Sequence, residues 1–212
     1  CLDALAELSQ YVPEGSQVAI TSRHEPPLPL GRWRAQGSVT EIGLEDLRLD
    51  EQEARMLLEA AGVELDDGEI SELTEQTEGW PAGLYLAALS MQAGAAATVR
   101  AEGFTGGDRF VSQYFHDELL SRLPEAKVKF LKHTSILERM SGALCDAVLG
   151  TTGSAPMLES LAQGNGFVVP RDRHGEWYRY HHLFGELLRN DLDRTEPEVV
   201  PELNARAMAW CI

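Results

Sequence analysis

The sequence between positions 176 and 188 changes its hydrophobic period within one short run, and this change strongly constrains the fold. Positions 176–180 alternate in the manner of a β-strand, and positions 182–188 have the apolar spacing of an amphipathic helix. His181 and His182 are therefore predicted to lie where a strand ends and a helix begins. Helix N-termini present unpaired N–H groups and a positive dipole end, so the junction suits a phosphate group. Two surface histidines of a small hairpin are the alternative.

The length, composition and net charge of the chain argue against several classes of protein. A chain of 212 residues with 43% hydrophobic side chains can build one large core or two to three small ones. A formal net charge of −16 argues against nucleic acid or an anionic membrane surface as the direct partner. Three widely spaced cysteines and the lack of a long apolar run lead us to expect a reducing cytoplasm. Both ends read as helices already under way, which predicts a fragment of a longer protein.

Local signals predict most of the helices. Asp50 with Glu53, and Asp66 with Glu69, have the spacing of capping boxes that begin two helices. Pro81 is suited to the first turn of a third helix, whose apolar character nearly all round predicts burial. Further helices are expected from 108, from 124, at 142–149, at 155–163 and from 196.

The remaining segments are predicted as strands or as connections. Short strands are expected at 17–22 and 39–42, and a hairpin at 167–170 and 177–180; three helices followed by a hairpin is the plan of a winged helix. Arg23 ends the first strand, where open α/β sheets place ligand contacts, although an ordinary surface arginine is the alternative. The Ala- and Gly-rich stretch 94–107 is predicted to be a linker or a disordered loop.

Several chemistries are missing from the sequence. All three lysines lie between 127 and 132 with no glycine loop before them, so no phosphate-binding G-x-x-x-x-G-K-[ST] motif is present. No catalytic residue is predicted, because the sequence has neither a G-x-S-x-G nor an H-E-x-x-H motif. No metal site is predicted at His181 and His182, since neighbouring residues on a strand point to opposite faces. Direct DNA reading by the wing is disfavoured because five arginines between 166 and 194 are balanced by five carboxylates.

Four motifs in order carry a family resemblance. They are ITSRHEPPLPL at 20–30, EGWPAGL at 78–84, GDRFV at 107–111 and YRYHHLF at 178–184. The chain resembles the MalT-type ATP-binding regulators of the LuxR family, which belong to the STAND class of signal-transduction NTPases. The resemblance covers nearly the whole chain.

The resemblance implies a nucleotide-binding role for three residues. Arg23 matches a sensor arginine that faces the γ-phosphate, Pro81 matches the proline of the G-x-P motif near the adenine, and His181 matches the histidine that contacts the β-phosphate of ADP. Tyr180 and His182 replace the methionine and aspartate of the family's M-H-D motif. The implied cofactor is ATP or ADP, with Mg in the longer protein.

The resemblance also implies a domain plan and a function. The fold class is mainly α with minor β: the end of an α/β nucleotide-binding domain at 1–44, a helical domain at 45–106, a winged-helix domain at 107–194 and the start of a helical region at 195–212. The implied function is a nucleotide-gated switch segment of a transcriptional activator, not catalytic by itself, within a slowly ATP-hydrolysing parent. Its partners would be an upstream phosphate-loop domain and other domains of the same chain, with DNA bound only by a C-terminal helix-turn-helix domain, no membrane, and self-association on activation.

A second hypothesis needs no nucleotide. The chain would be a helical protein-interaction module, and Trp177, Tyr178 and Tyr180 would be an exposed aromatic partner surface.

Overall fold

The computed structural model describes residue 7 and residues 11–13, 15–22, 26–96, 99 and 103–210. They form two compact units, an N-terminal unit ending at Asp46 and a main unit beginning at Leu47. Arg23 and most of the predicted opening helix lie outside the described residues, so the role of Arg23 stays a prediction. The four domain boundaries also stay predictions.

The described part of the N-terminal unit includes helix α1 (Leu30–Gln36), and a 3₁₀ turn at Glu45–Leu47 follows at the end of the unit. Gly37 ends α1 in a left-handed conformation, with φ +65°. The predicted strands at 17–22 and 39–42 are wrong, because both stretches are irregular. A strand needs a neighbour for its N–H and C=O groups, and no described residue forms a ladder with either stretch.

The first half of the main unit consists of three helices joined by tight turns. They are α2 (Glu51–Ala60), α3 (Asp67–Gln76) and α4 (Pro81–Ser90), followed by a π-helical turn at Met91–Ala95. The side chains of Asp50 and Asp66 accept the N–H groups of Glu53 and Glu69, whose carboxylates accept in return, so both predicted capping boxes are confirmed. Helix α4 is largely buried as predicted, and Tyr85 is its exposed side chain.

The second half of the main unit contains six helices and a hairpin among its described residues. They are α5 (Arg109–Glu118), α6 (Glu125–Thr134), α7 (Gly142–Leu149), α8 (Ser154–Asn165), β1 (Val168–Pro170), β2 (Tyr178–Tyr180), α9 (His182–Thr195) and α10 (Val200–Trp210), with a 3₁₀ turn at Leu120–Arg122. The strands are antiparallel, with Val168 opposite Tyr180, and Met140 bridges to Tyr178 at the other side of β2. The predicted fold class, mainly α with a small β-hairpin after helices, is confirmed.

One hydrophobic core runs through both halves of the main unit. It extends from Ala54 on α2 to Leu188 on α9. Phe104 belongs to this core and is buried, so the predicted linker or disordered loop at 94–107 is wrong at Phe104. Gly106 donates its N–H to the Glu186 carboxylate on α9 and leaves no room for a side chain there. A single aromatic residue between small residues has no periodicity, which is why the sequence pattern did not indicate burial.

No helix in the described ranges has the length and apolar character needed to cross a bilayer.

Candidate functional site

The junction between β2 and α9 has the strand-to-helix geometry that the sequence predicts. His181 precedes the first helical residue, His182, with φ −55° and ψ +139°. Its N–H donates to the Phe167 carbonyl at 2.8 Å, and its own carbonyl accepts the Gly185 N–H at 2.9 Å. The backbone therefore changes from sheet-like pairing to helical pairing at this one residue.

The imidazole of His181 is buried and neutral. His181 is only 5% exposed, and its Nε2 atom lies 3.1 Å from the Thr77 carbonyl oxygen. A carbonyl only accepts, so Nε2 carries the proton and Nδ1 has a lone pair. Burial lowers the pKa of His181 to about 4, while the neighbouring Glu78 charge opposes this shift. Among the described residues, Nδ1 has no hydrogen-bond partner.

The turn between α3 and α4 faces this histidine. Glu78 and Gly79 both have left-handed backbones, with φ +51° and +67°. A Cβ on Gly79 would lie 2.5 Å from the Leu49 carbonyl oxygen, so only glycine fits. Trp80 then precedes α4 and places its ring edge-on to the His181 ring, with 5.7 Å between centroids.

Glu78 joins the turn to the start of α9. Both carboxylate oxygens accept from the Arg179 guanidinium, each at 2.6 Å, and Oε1 also accepts the His182 N–H at 2.8 Å. Arg48 lies 3.6 Å from Oε2. Burial by itself raises the pKa of Glu78, but the hydrogen bonds from Arg179 and the His182 N–H outweigh it and lower the pKa to about 2. The carboxylate is therefore ionised throughout the physiological range.

Two of the three predicted site residues, Pro81 and His181, lie in the described part of the chain, and Trp80 neighbours both. Pro81 lies half-buried in the first turn of α4, next to Trp80, and Trp80 contacts the ring of His181. Sequence reasoning missed Glu78 and Arg179, which make the strongest polar contacts of the site. Both lie inside the quoted motifs, but nothing local indicates that residues 101 positions apart form a pair.

The predicted aromatic partner surface is wrong for its two tyrosines. Tyr178 and Tyr180 are 6% and 7% exposed, and the Tyr180 hydroxyl lies 2.6 Å from the Thr134 hydroxyl. Alternate side chains of β2 share a face, and this face packs on the helices while Arg179 points the other way. Trp177 remains partly exposed, with Arg139 4.9 Å from its ring centroid.

Comparison with known proteins identifies relatives for the whole chain. Residues 116–200 match the family model of the MalT winged helix domain. The chain is 34% identical over 195 residues, 92% of its length, to the serine/threonine-protein kinase PknK of Mycobacterium tuberculosis. It is 31% identical over 214 residues, 98% of its length, to the HTH-type transcriptional regulator MalT of Klebsiella pneumoniae subsp. pneumoniae, and 30% identical over 212 residues, also 98% of its length, to MalT of Yersinia enterocolitica. It spans 18% of the PknK sequence and 24% of each MalT sequence.

Proposed function

We propose that this chain is the nucleotide-responsive switch segment of a larger regulatory protein, and the match of residues 116–200 to the family model of the MalT winged helix domain supports this proposal. The turn between α3 and α4 would separate from the start of α9, or stay bound to it, according to the nucleotide state. Such a two-state element, biased by phosphate contacts, is a common form of molecular switch.

The observation that carries the proposal is the polar contact between that turn and the start of α9. Thr77 and Glu78 supply the acceptors, and His181, the His182 N–H and Arg179 supply the donors. The donors of these contacts, an imidazole, a guanidinium and a helix N-terminal N–H, are groups that also bind phosphate oxygens. A contact of this kind can be exchanged for a ligand without disturbing the apolar core beneath it.

The relatives favour a regulatory role for this segment over a role as the domain that carries out the protein's final activity. One is named a kinase and two are named HTH-type transcriptional regulators, yet all share this segment. A segment common to different outputs is best suited to regulating them. A net charge of −16 supports assigning any DNA contact to another domain of the longer protein.

The residues present fit an adenine nucleotide as the controlling ligand. Arg179 and the His182 N–H are donors that suit a phosphate, and Trp80 with Pro81 offers partly buried apolar surface for a base. Arg23 stays a phosphate contact predicted from the family resemblance alone. The nucleotide would supply negative charge at the start of α9, and Mg with ATP would bind through a phosphate loop elsewhere in the longer protein.

The test is the dissociation rate of ADP from the full-length protein. His181→Ala and His181→Gln should each release ADP several-fold faster than the wild-type protein, because both remove the imidazole. His174→Gln is the matched control, since His174 lies exposed in the wing turn. ADP dissociation at the wild-type rate in both His181 variants would refute the nucleotide role.

A further inference from the structure

A cavity of about 500 Å³ lies in the main unit, and the residues that line it are separate from those of the contact between Glu78 and α9. Its walls come from α6, from the turn between α7 and α8, and from α10. Pockets that bind small molecules have volumes of about 300–1,000 Å³. The cavity therefore has the size of a small-molecule site.

Much of the lining of this cavity is apolar. Phe130 of α6 and Leu203 of α10 line it and are buried, and Leu149, Met157 and Val199 line it and are half-buried. These side chains come from separate segments, so the sequence pattern of any one helix does not reveal the cavity. The lining favours a ligand with an apolar body, because binding removes apolar area of both partners from water.

Hydrogen bonds to Asp146 fix the wall between α7 and α8. The Asp146 carbonyl accepts the Thr151 N–H at 3.1 Å, and its carboxylate accepts the Ser154 N–H at 2.9 Å. The first N–H of α8 is therefore already satisfied, and the anion preference of the cavity has to come from its side chains. The wall that includes Thr151 and Thr152 is formed before any ligand binds, which is typical of small-molecule sites.

The charged side chains around the cavity favour an anionic ligand. Arg206 pairs with the Glu202 carboxylate, so these two charges offset each other. Lys129 also lines the cavity, and it has no hydrogen bond or ion pair with another residue that the structure describes. The Glu196 carboxylate, on which the Lys129 charge also acts, is instead hydrogen-bonded to His133 Nε2 at 3.0 Å. In a chain with a net charge of −16, Lys129 thus places an unpaired positive charge beside an apolar cavity.

We propose that this cavity binds a small organic anion that has an apolar body and one carboxylate group. The body would pack on Phe130 and Leu203, and the carboxylate would pair with Lys129 at the exposed edge. Because α6 and α10 form opposite parts of the lining, the bound molecule would contact both and hold α10 against the winged-helix domain. The inference is independent of the nucleotide role, since it uses none of the residues assigned to that role.

Calorimetric titration of the 212-residue chain with phenylbutyrate and with phenylbutanol tests the proposal. The two probes share one apolar body, and only phenylbutyrate carries a charge. Phenylbutyrate should bind with a dissociation constant of about 1 mM or tighter, the strength expected of roughly a dozen non-hydrogen atoms. Phenylbutanol should bind about three- to fivefold more weakly, because an exposed ion pair contributes modestly.

Lys129→Gln should weaken phenylbutyrate binding to the level of phenylbutanol and leave phenylbutanol binding unchanged. Lys127→Gln is the matched control, since Lys127 lies on the same helix, contacts Ser160 and does not line the cavity. Equal affinities of the wild-type chain for the two probes, or equal phenylbutyrate affinities of the two lysine variants, would overturn the assignment of the carboxylate to Lys129.

Ala126→Trp tests whether the probes bind in this cavity. Ala126 lines the cavity at an exposed position of α6, so an indole there should fill the space and abolish binding of both probes. Ala205→Trp is the control at an exposed position of α10 outside the lining, and circular dichroism checks that both variants keep their helices. Unchanged binding in Ala126→Trp, or no saturable binding of phenylbutyrate by the wild-type chain, would overturn the proposal.

Discussion

Glu78 has an unusual backbone for its residue type, and its side chain explains why the conformation is kept. Left-handed φ values are uncommon outside glycine, asparagine and aspartate. The bidentate contact with Arg179 and the bond from the His182 N–H offset this strain. One side chain thus connects the α3–α4 turn with the start of α9, and both segments lose a partner when it is removed.

At the scale of single residues, His181 should make the protein sensitive to mild acid. Its pKa falls from 6.5 when unfolded to about 4 when folded, because burial disfavours the charged ring. Between these values the unfolded chain binds more protons, so the free energy of unfolding should decrease as pH falls from 6.5 to 4. The loss attributable to this residue is roughly 3 kcal/mol.

Urea unfolding of the wild-type chain and of His181→Gln across this pH range measures the effect. Glutamine can donate to the Thr77 carbonyl but does not titrate, so the variant should lack this part of the pH dependence. Glu78 acts in a lower window: its depressed pKa stabilises the fold above pH 4.5, and this contribution is lost between 4.5 and 2. Identical pH profiles for the two proteins between 6.5 and 4 would contradict the prediction.

At the scale of elements, local sequence signals determine where helices begin, whereas tertiary packing determines the conformation of the connection before α5. Both capping boxes and the proline at the start of α4 lie where their spacing indicates. The segment before α5 is different, since Phe104 enters the core and Gly106 lies against the backbone of α9. The connection therefore acts as part of the packed structure.

Gly106→Ala should destabilise the main unit by about 1–3 kcal/mol, because overpacking against backbone cannot be relieved by rotating a side chain. The added Cβ would overlap the Leu183 carbonyl oxygen and lie 2.6 Å from the Leu187 nitrogen. Gly68→Ala is the control, since its nearest neighbour is the end of the Asp66 side chain at 3.3 Å. Equal unfolding midpoints for the two variants in guanidinium chloride would show that α9 can yield at this contact.

At the scale of the whole main unit, the continuous core predicts cooperative behaviour. Buried residues from α2 to α9 form one cluster, and Phe104 lies within it. The helices of the first half and the β1–β2 hairpin should therefore open together. The hairpin alone is too small to be stable, so it depends on this core.

Phe104→Ala should lower the free energy of opening of α3 and of β2 by the same amount, about 3–5 kcal/mol. Native-state hydrogen exchange resolved by residue measures both elements in one experiment. Met56→Ala on α2 is the control, since this side chain is 63% exposed and its loss should change opening by less than about 0.5 kcal/mol. Destabilisation confined to α3 would show that the two halves unfold independently.

The sequence by itself determined the features that depend on neighbouring residues. Helix starts, the hairpin and the junction at His181 follow from periodicity and capping, which act within a few positions. The family resemblance is likewise visible in the motifs, and the comparisons support it. The strands predicted at 17–22 and 39–42 failed because strand formation depends on distant partners as well as on local pattern.

Only the tertiary structure decided which charged groups meet. Glu78 and Arg179 are separated by 101 positions, and their pairing exists because α3, α4 and β2 pack on one core. The same packing buries Tyr178, Tyr180 and the ring of His181, whose residue types are compatible with either surface or interior. Burial lowers the pKa of His181, and the contacts with Arg179 and the His182 N–H lower the pKa of Glu78, because desolvation and charge pairing arise only when distant segments come together.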